Sequence, residues 1–304
     1  MIGKRVHDIA LLSVLMPVYD CDQFVQAAID SILNQTFRDF EFIIIDDGSK
    51  DRTAEIVEAA AARDPRIRVI SRENRGIVPS LNEALEQATG TLVARMDGDD
   101  ISLPDRFSRQ VAYLQANPEC GLVGTQIMFM DPDGRPIAPM PNPLGHDEIV
   151  ARMMIGREGI SHPTVLFRRE VAQSINGYSD RFKHAEDIDF FLRMAEATRV
   201  ANMPELLLHY RQHPKSIGRT QSEAQAAAHY RAICEAASRT GAPMPKEIER
   251  QAVGDATDDH IRWAWWALRS GQMPSARFYA RKVLAARPLS LDSWRLSFCV
   301  MRGR

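Results

Sequence analysis

The amino-acid sequence predicts an α/β protein: an open sheet with helices on both faces, followed by a helical C-terminal region. Three observations lead there. Between residues 9 and 100, short β-rich apolar runs alternate three times with longer helical stretches, the pattern of parallel strands joined by right-handed crossovers. The runs are continuously apolar, which suits strands covered on both faces. From Gln221 onward the composition is almost wholly helix-forming.

The elements follow in order. Strands are predicted over Ala10 to Met16, Glu41 to Asp46, Ile67 to Ser71 and Thr91 to Met96. Between them helices are predicted from Asp22 to Gln35, with Phe24, Ala28, Ile32 and Leu33 on one face, from Thr53 to Arg63, and from Ile77 to Ala88. A helix after Pro104 runs to about Ala116, a strand covers Gly121 to Met130, and Asp131-Pro132-Asp133-Gly134 makes a turn. Residues 135 to 148 are proline-rich and read as a surface loop. His162 to Phe167 reads as a strand and Glu186 to Glu196 as a helix. A boundary near residue 218 divides a domain over 1–218 from a helical region over 219–304.

Composition excludes several classes. With 45% hydrophobic and 26% charged residues in 304, disordered, collagen-like and coiled-coil chains are out. Net charge is -2, but residues 1 to 200 carry 22 Lys+Arg against 31 Asp+Glu and residues 201 to 304 carry 16 against 9. That balance does not imply nucleic-acid binding. Cys21, Cys120, Cys234 and Cys299 are far apart, with no paired zinc spacing, and read as buried free thiols in a reducing cytosol. No stretch reaches the length of a membrane-spanning helix. The apolar run Ile9 to Met16 after Lys4 and Arg5 could mimic a secretory signal, but it is bounded by Asp8 and Pro17 and the sheet needs it as a strand.

In an open α/β sheet ligands bind beyond the carboxyl ends of the strands. Those ends are Pro17-Val18-Tyr19-Asp20, Asp46-Asp47-Gly48-Ser49, Arg72-Glu73-Asn74-Arg75-Gly76 and Asp97-Gly98-Asp99-Asp100, all on one edge. Three carboxylates within four residues repel one another unless a cation or donors compensate, and Mg2+ or Mn2+ holding a nucleotide diphosphate is the economical answer. The bland alternative is an acidic turn capping the next helix. Asp47 could accept from a nucleobase edge, with Tyr19 as a stacking face, while Ser49 and Asp51 could simply cap the helix near Thr53.

Met16-Pro17-Val18-Tyr19, Ser31 to Phe37, Phe42 to Ser49, Asn74-Arg75-Gly76 and Asp97-Gly98-Asp99-Asp100 together resemble the nucleotide-sugar half of family 2 inverting glycosyltransferases with the GT-A fold. The resemblance continues through His162-Pro163-Thr164, Gly177-Tyr178, Glu186-Asp187-Ile188-Asp189 and Tyr210-Arg211-Gln212-His213, and so covers residues 9 to 218. It implies a Rossmann-like open mixed sheet and single addition of a sugar from a nucleotide-diphosphate donor, most simply a UDP-sugar, to a glycan or lipid-linked acceptor in polysaccharide synthesis. By resemblance Asp187 is the general base. Pro17, Tyr19, Asp47, Arg75, Asp97 and Arg211 bind donor, Asp99 and His213 hold Mn2+ or Mg2+, and His162 and Glu186 lie on the acceptor side.

Two departures stand out. Asp20 occupies a position that is usually Asn in the family, and where processive synthases carry Gln-x-x-Arg-Trp and membrane helices, the corresponding stretch looks like Tyr210-Arg211-Gln212-His213 with no membrane helix, which points to single addition. A sugar nucleotidyltransferase would need a Gly-rich basic loop after the first strand, which Pro17 to Asp22 is not. A degenerate adaptor would have lost Asp99 or Asp187, and both are present.

The tail lies outside the resemblance. Gly271, Ala276, Ala280, Val283, Pro288 and Trp294 match the spacing of a tetratricopeptide-like helix pair running into a second one, or an ordinary helical hairpin docked on the catalytic domain. Residues 260 to 304 hold nine Lys+Arg against one acid, Asp292, with Trp263, Trp265, Trp266 and Trp294. Such basic helices either meet an anionic membrane peripherally or turn their tryptophans into a core of their own, as the shared face of Trp263, Trp266 and Ala267 allows.

Overall fold

The computed structural model describes residues 10–213, 222–245 and 255–303. The first half delivers the predicted alternation: β1 (Leu12–Val18), α1 (Val25–Leu33), β2 (Phe40–Asp46), α2 (Thr53–Ala61), β3 (Ile67–Ser71), α3 (Ile77–Gln87) and β4 (Leu92–Arg95). Then come β5 (Ile101–Ser102), α4 (Arg106–Ala116), β6 (Cys120–Met130), β7 (Pro136–Met140), α5 (His146–Met154), β8 (Leu166–Arg168), α6 (Arg169–Ser174), α7 (Glu186–Ala197) and β9 (Arg199–Arg211). The tail forms α8 (Ser222–Thr240), α9 (Ala256–Arg269), α10 (Met273–Ala286) and α11 (Leu291–Arg302). The boundary expected near residue 218 lies outside the described residues.

All nine strands form one mixed sheet in the order β3-β2-β1-β4-β8-β6-β9-β5, with β7 on the outer half of β6. The first four strands are mutually parallel, so their carboxyl ends share one edge as expected. Side chains alternate between two cores. Leu12, Val14 and Met16 of β1 meet α1, α2 and α4, while Leu15, with Ile43 and Ile45 of β2, meets α3 and α7.

Several expectations are corrected. Helix α1 buries Val25, Ala28, Ile29 and Ile32, so Phe24 precedes the helix instead of joining its core face. The proline-rich stretch after Gly134 is not all loop, because Pro136 to Met140 pairs with β6. Its prolines are tolerated because β7 has a strand neighbour on one side only, and the Pro136 and Ile137 carbonyls accept from Ser275 Oγ (2.6 Å) and Ser270 Oγ (3.0 Å) of the tail. The strand read over His162 to Phe167 is a 3-10 turn at His162–Thr164 followed by β8, since Pro163 cannot donate to a ladder. Of the cysteines only Cys120 is buried; the other three are half-buried, and all four are free.

The thirteen-residue β9 brings the chain back to the site. It runs parallel to β6, skips register between Asn202 and Leu206 where Pro204 sits, and ends antiparallel to β5, with His209 opposite Ile101. That pairing delivers Arg211, Gln212 and His213 beside the acidic turn. Helix α8 buries Ala228, Ala232, Ile233 and Ala236 in the core shared with α7.

Helices α9 and α10 are the hairpin that the tail spacing anticipates, docked on the β6–β7 edge. The Trp266 ring stacks on Phe129 at 5.7 Å, and Tyr279 donates to Asp131. Trp263, Ala264 and Ala267 are buried, so most of the tail's aromatic surface faces inward.

Candidate active site

The motif from Ser31 to Phe37 proves to be a staple. Gln35 is fully buried, donates to Ser102 Oγ (3.1 Å) and the Leu103 carbonyl (2.8 Å), and accepts from the Phe107 amide (3.1 Å). It thereby clamps the segment after the acidic turn onto α1. Arg106, also fully buried, donates to the Arg95 carbonyl (2.8 Å) and ties β4 to α4.

The first two strand ends are zipped together. Asp20 has φ +45, a left-handed conformation that Asp and Asn tolerate, and its carboxylate accepts from the Lys50 amide at 2.7 Å. Acceptance of that N–H suits Asp as well as Asn, which accounts for the departure at this position. Pro17 is buried within β1, opposite Ile45 and beyond the last residue paired with β4, so its missing N–H leaves no ladder bond unmade. It sets the strand end and offers no free surface. Tyr19, by contrast, is exposed at the edge.

Asp47 is buried, and its carboxylate organises the next turn. Oδ1 accepts from the Arg75 amide (2.9 Å), Oδ2 from the Gly76 amide (2.8 Å), and Arg72 pairs with it from the side. Each carboxylate oxygen can accept twice, so capacity for a base edge remains. Gly48 is required here: with φ +76, an added Cβ would sit 2.8 Å from the Asn74 amide nitrogen. Arg75 is exposed, and no described side chain holds its guanidinium.

At the end of β4, Asp97, Asp99 and Asp100 place one oxygen each within 4.8 Å of one another. Gly98 lets them converge, since a Cβ there would meet Val18 at 2.9 Å and Cys21 Sγ at 3.1 Å. Asp97 is paired with Arg95, yet burial and the Asp99 and Asp187 charges outweigh Arg95 and push its carboxyl up to about 6. Asp100 is buried, with Oδ1 accepting from the Arg211 amide (2.8 Å) and Oδ2 without a partner; burial and its two neighbours raise it well above the usual carboxylate range. His213 Nε2 lies 2.8 Å from Asp99 Oδ2. Three hard oxygens, one orphaned, with an imidazole alongside are a donor set that a divalent cation would complete.

Arg211 differs from expectation. Its Nε donates to the Asp99 carbonyl (2.7 Å), its Nη1 to the Pro132 carbonyl (2.7 Å), and its guanidinium lies 4.7 Å over the Phe24 ring. Those bonds make Arg211 a brace of the acidic turn, while its Nη2 has no partner among the described residues and keeps two donors for a diphosphate.

Across from this cluster stands the N-terminus of α7. Asp187 is partly exposed and accepts from the Ile188 amide (2.8 Å), with His229 Nε2 of α8 at 4.0 Å. Glu186 points inward with Oε2 unpartnered, and burial plus the Asp187 charge push it up to about 7. His162 bonds the Tyr178 hydroxyl (3.0 Å) and packs on Phe191; burial and then Arg95 hold it well below its usual range, as a neutral wall.

Sequence reasoning missed Arg95. It is buried between the two walls, its Nε has no partner, and its charge reaches Asp97, Asp100, Tyr178 and His162. An arginine closing a buried β-run was the available signal.

The chain matches the family model for Glycosyl transferase family 2 over residues 13–175. It is 35% identical over 210 residues to the O-antigen biosynthesis glycosyltransferase WbnJ of Escherichia coli, covering 68% of this chain and 81% of that one. It belongs to glycosyl transferase family 2. A putative glycosyltransferase of Bacillus subtilis, EpsE, is 34% identical over 66% of this chain and 73% of its own. Among solved structures, Staphylococcus aureus TarS 1-349 in complex with UDP-GlcNAc superposes with a TM-score of 0.60 at 17% identity, over 95% of this chain and 79% of that one. The mannosyltransferase PcManGT of Pyrobaculum calidifontis, in complex with GDP-Man and Mn2+, gives 0.56 at 18% identity, over 96% and 84%. These likenesses give the fold, GT-A with a helical extension. No helix among the described residues is long and apolar enough to cross a membrane.

Proposed function

We propose that the family 2 domain, residues 1–218, transfers a single sugar with inversion from a nucleoside-diphosphate sugar, a UDP-sugar first, to a glycan or lipid-linked acceptor in polysaccharide assembly, and that residues 219–304 are a helical region appended to it. The observation that carries this is the pairing of two acidic walls at one sheet edge: the Asp97-Gly98-Asp99-Asp100 turn and Asp187, whose charge reaches Asp97. One relative is named for O-antigen biosynthesis, and one structural neighbour holds UDP-GlcNAc, which motivates the donor and acceptor classes.

In this reading Tyr19 stacks on the base, Asp47 accepts from its edge, and Asp97 contacts the ribose. Asp99, with His213 beside it, would hold a divalent ion, and the imidazole would tilt the set from Mg2+ toward Mn2+. When bound, such an ion would supply charge stabilisation for the leaving diphosphate, to which the unengaged Arg75 adds. Asp187 takes the proton of the acceptor hydroxyl as that oxygen attacks the anomeric carbon in line with the departing diphosphate. Glu186 and His162 shape the acceptor wall: burial keeps His162 uncharged and raises Glu186 to about 7, so that it carries only part of its charge near neutral pH.

The test is turnover against a panel of nucleotide sugars with Mn2+, with the anomeric configuration of the product read by NMR. Release of nucleoside diphosphate with inverted product is expected. A retained anomer, or no donor turned over with any glycan or lipid-linked acceptor, would refute the reading.

A further inference from the structure

Helix α11 carries a face that no described residue covers. Its inner side, Ser293, Leu296 and Val300, is buried against α9 and α10. On the outer side Leu291, Trp294, Phe298 and Met301 recur at the three- and four-residue steps that align side chains on a helix, and they are 86, 57, 50 and 74% exposed. Leu289, just before the helix, is 97% exposed. Of the nine large apolar side chains exposed among the described residues, five fall in this one stretch, so it is a patch and not scatter.

Cations border the patch. Helical spacing puts Arg295 and Arg302 along its edge, and the Arg302 guanidinium lies 4.5 Å over the Phe298 ring. On α10, Arg277 and Arg281 line, with Arg135 and Phe278, a cleft of about 490 Å³. The end of α11 at Gly303 approaches Met273 at the start of α10, the helix whose Arg277 and Arg281 line the cleft. Arg262 pairs with Asp259, and Arg287 with Asp255 and Asp258. Among the described residues no carboxylate pairs with Arg277, Arg281, Arg295 or Arg302.

We infer that this face of α11 docks the protein on an anionic lipid bilayer. Leu291, Trp294, Phe298 and Met301 lie among the upper acyl chains, and Arg277, Arg281, Arg295 and Arg302 reach the headgroups, the arrangement of an interfacial amphipathic helix. Charge decides the occupant. Two copies meeting through α11 would set Arg295 and Arg302 of each against those of the other, with only Asp292 in the helix to offset them, whereas a negative surface attracts every one of these cations. The tail alone carries this inference, so it stands or falls separately from the donor chemistry.

Co-sedimentation of the full chain with phosphatidylcholine vesicles, plain or holding about one-quarter phosphatidylglycerol, tests it. Pelleting is expected only with the anionic vesicles and should fall as salt rises. Neutralising Arg295→Gln and Arg302→Gln together should lower the partition coefficient roughly thirtyfold, at about 1 kcal/mol per cation. Trp294→Ser with Phe298→Ser, both surface changes, should abolish binding while circular dichroism stays that of the parent. Quenching of tryptophan emission by lipids brominated on the acyl chain needs no variant and is expected with anionic vesicles. Equal pelleting with both vesicle types, pelleting with neither, absence of quenching, or variants that bind like the parent would each overturn the proposal. So would a concentration-dependent dimer in sedimentation velocity that the Trp294 and Phe298 changes remove, since the face would then belong to a second copy.

Discussion

Substituting Asp47→Asn separates two jobs that one carboxylate performs. In the structure it accepts from the Arg75 and Gly76 amides and pairs with half-buried Arg72. An asparagine keeps one acceptor oxygen and turns an NH2 toward the second amide, losing one hydrogen bond to a charged group, about 1.5–3 kcal/mol. Arg72 also loses an ion-pair partner, although Glu83 (2.6 Å) and Ser80 Oγ (2.9 Å) still hold it, which limits that further loss to about 1 kcal/mol. A total of roughly 3 kcal/mol, at about 2–4 °C per kcal/mol for a chain of this class, predicts a drop in Tm of roughly 6–12 °C. The turn that presents Arg75 loosens with it, so calorimetry with Mn2+ should show UDP and GDP both bound at least about tenfold more weakly. If Asp47 also reads the base, the ratio of the two affinities changes as well; a brace alone lowers both equally. A Tm within about a degree of the parent together with unchanged affinity for both nucleotides would refute the reasoning.

Asp187→Asn should cut turnover about 100-fold or more while UDP affinity stays near that of the parent; near-normal turnover would remove Asp187 as the base. UDP binding in Mn2+ should vanish with EDTA, and Asp99→Ala should reproduce that loss, so a variant binding UDP as tightly as the parent in metal would sink the metal assignment. Glu186 should make stability pH-dependent: unfolded it releases its proton near 4.5, folded only near 7, so stability falls as pH rises through that window. Glu186→Gln should therefore gain up to roughly 3 kcal/mol over the parent above the window and nothing below it, and a Tm difference independent of pH, measured in EDTA, would contradict the burial argument.

How much of this was legible depended on how local the signal was. Strands β1 to β4 announce themselves because burial on both faces leaves uninterrupted runs such as Phe42-Ile43-Ile44-Ile45. Strand β9 does not: Pro204 sits in a register skip, and the alternation is broken where pairing with β6 resumes at Leu206. Prolines likewise concealed β7, whose identity depends on pairing with β6 and on the tail sealing its carbonyls. Asp47, Asp97, Asp99 and Asp187 could be named from motifs, but what they touch could not. Phe24 looked like helix core and instead lies under the Arg211 guanidinium, 5.3 Å from the His213 ring. His229 belongs to no motif and approaches Asp187 only because α8 packs against α7.

Arg95 shows why the electrostatics of the site could not be summed from the motifs. It is the buried cation that the acidic turn and the α7 wall share: it offsets Asp97, lowers Glu186, and with burial keeps His162 uncharged. Arg95, even with Arg106 and Arg211 acting on Asp100, leaves Asp97, Asp99, Asp100 and Asp187 with more negative charge than the cations beside them. Burial and that excess together raise Asp97 and Asp100 above the usual carboxylate range. A diphosphate entering this edge alone would add negative charge to a surface already rich in carboxylates. Entering with a divalent ion, it would bring charge that offsets those carboxylates, with Arg75 on the exposed side. On the proposed function, that balance favours uptake of the donor as its metal complex over uptake of the bare diphosphate.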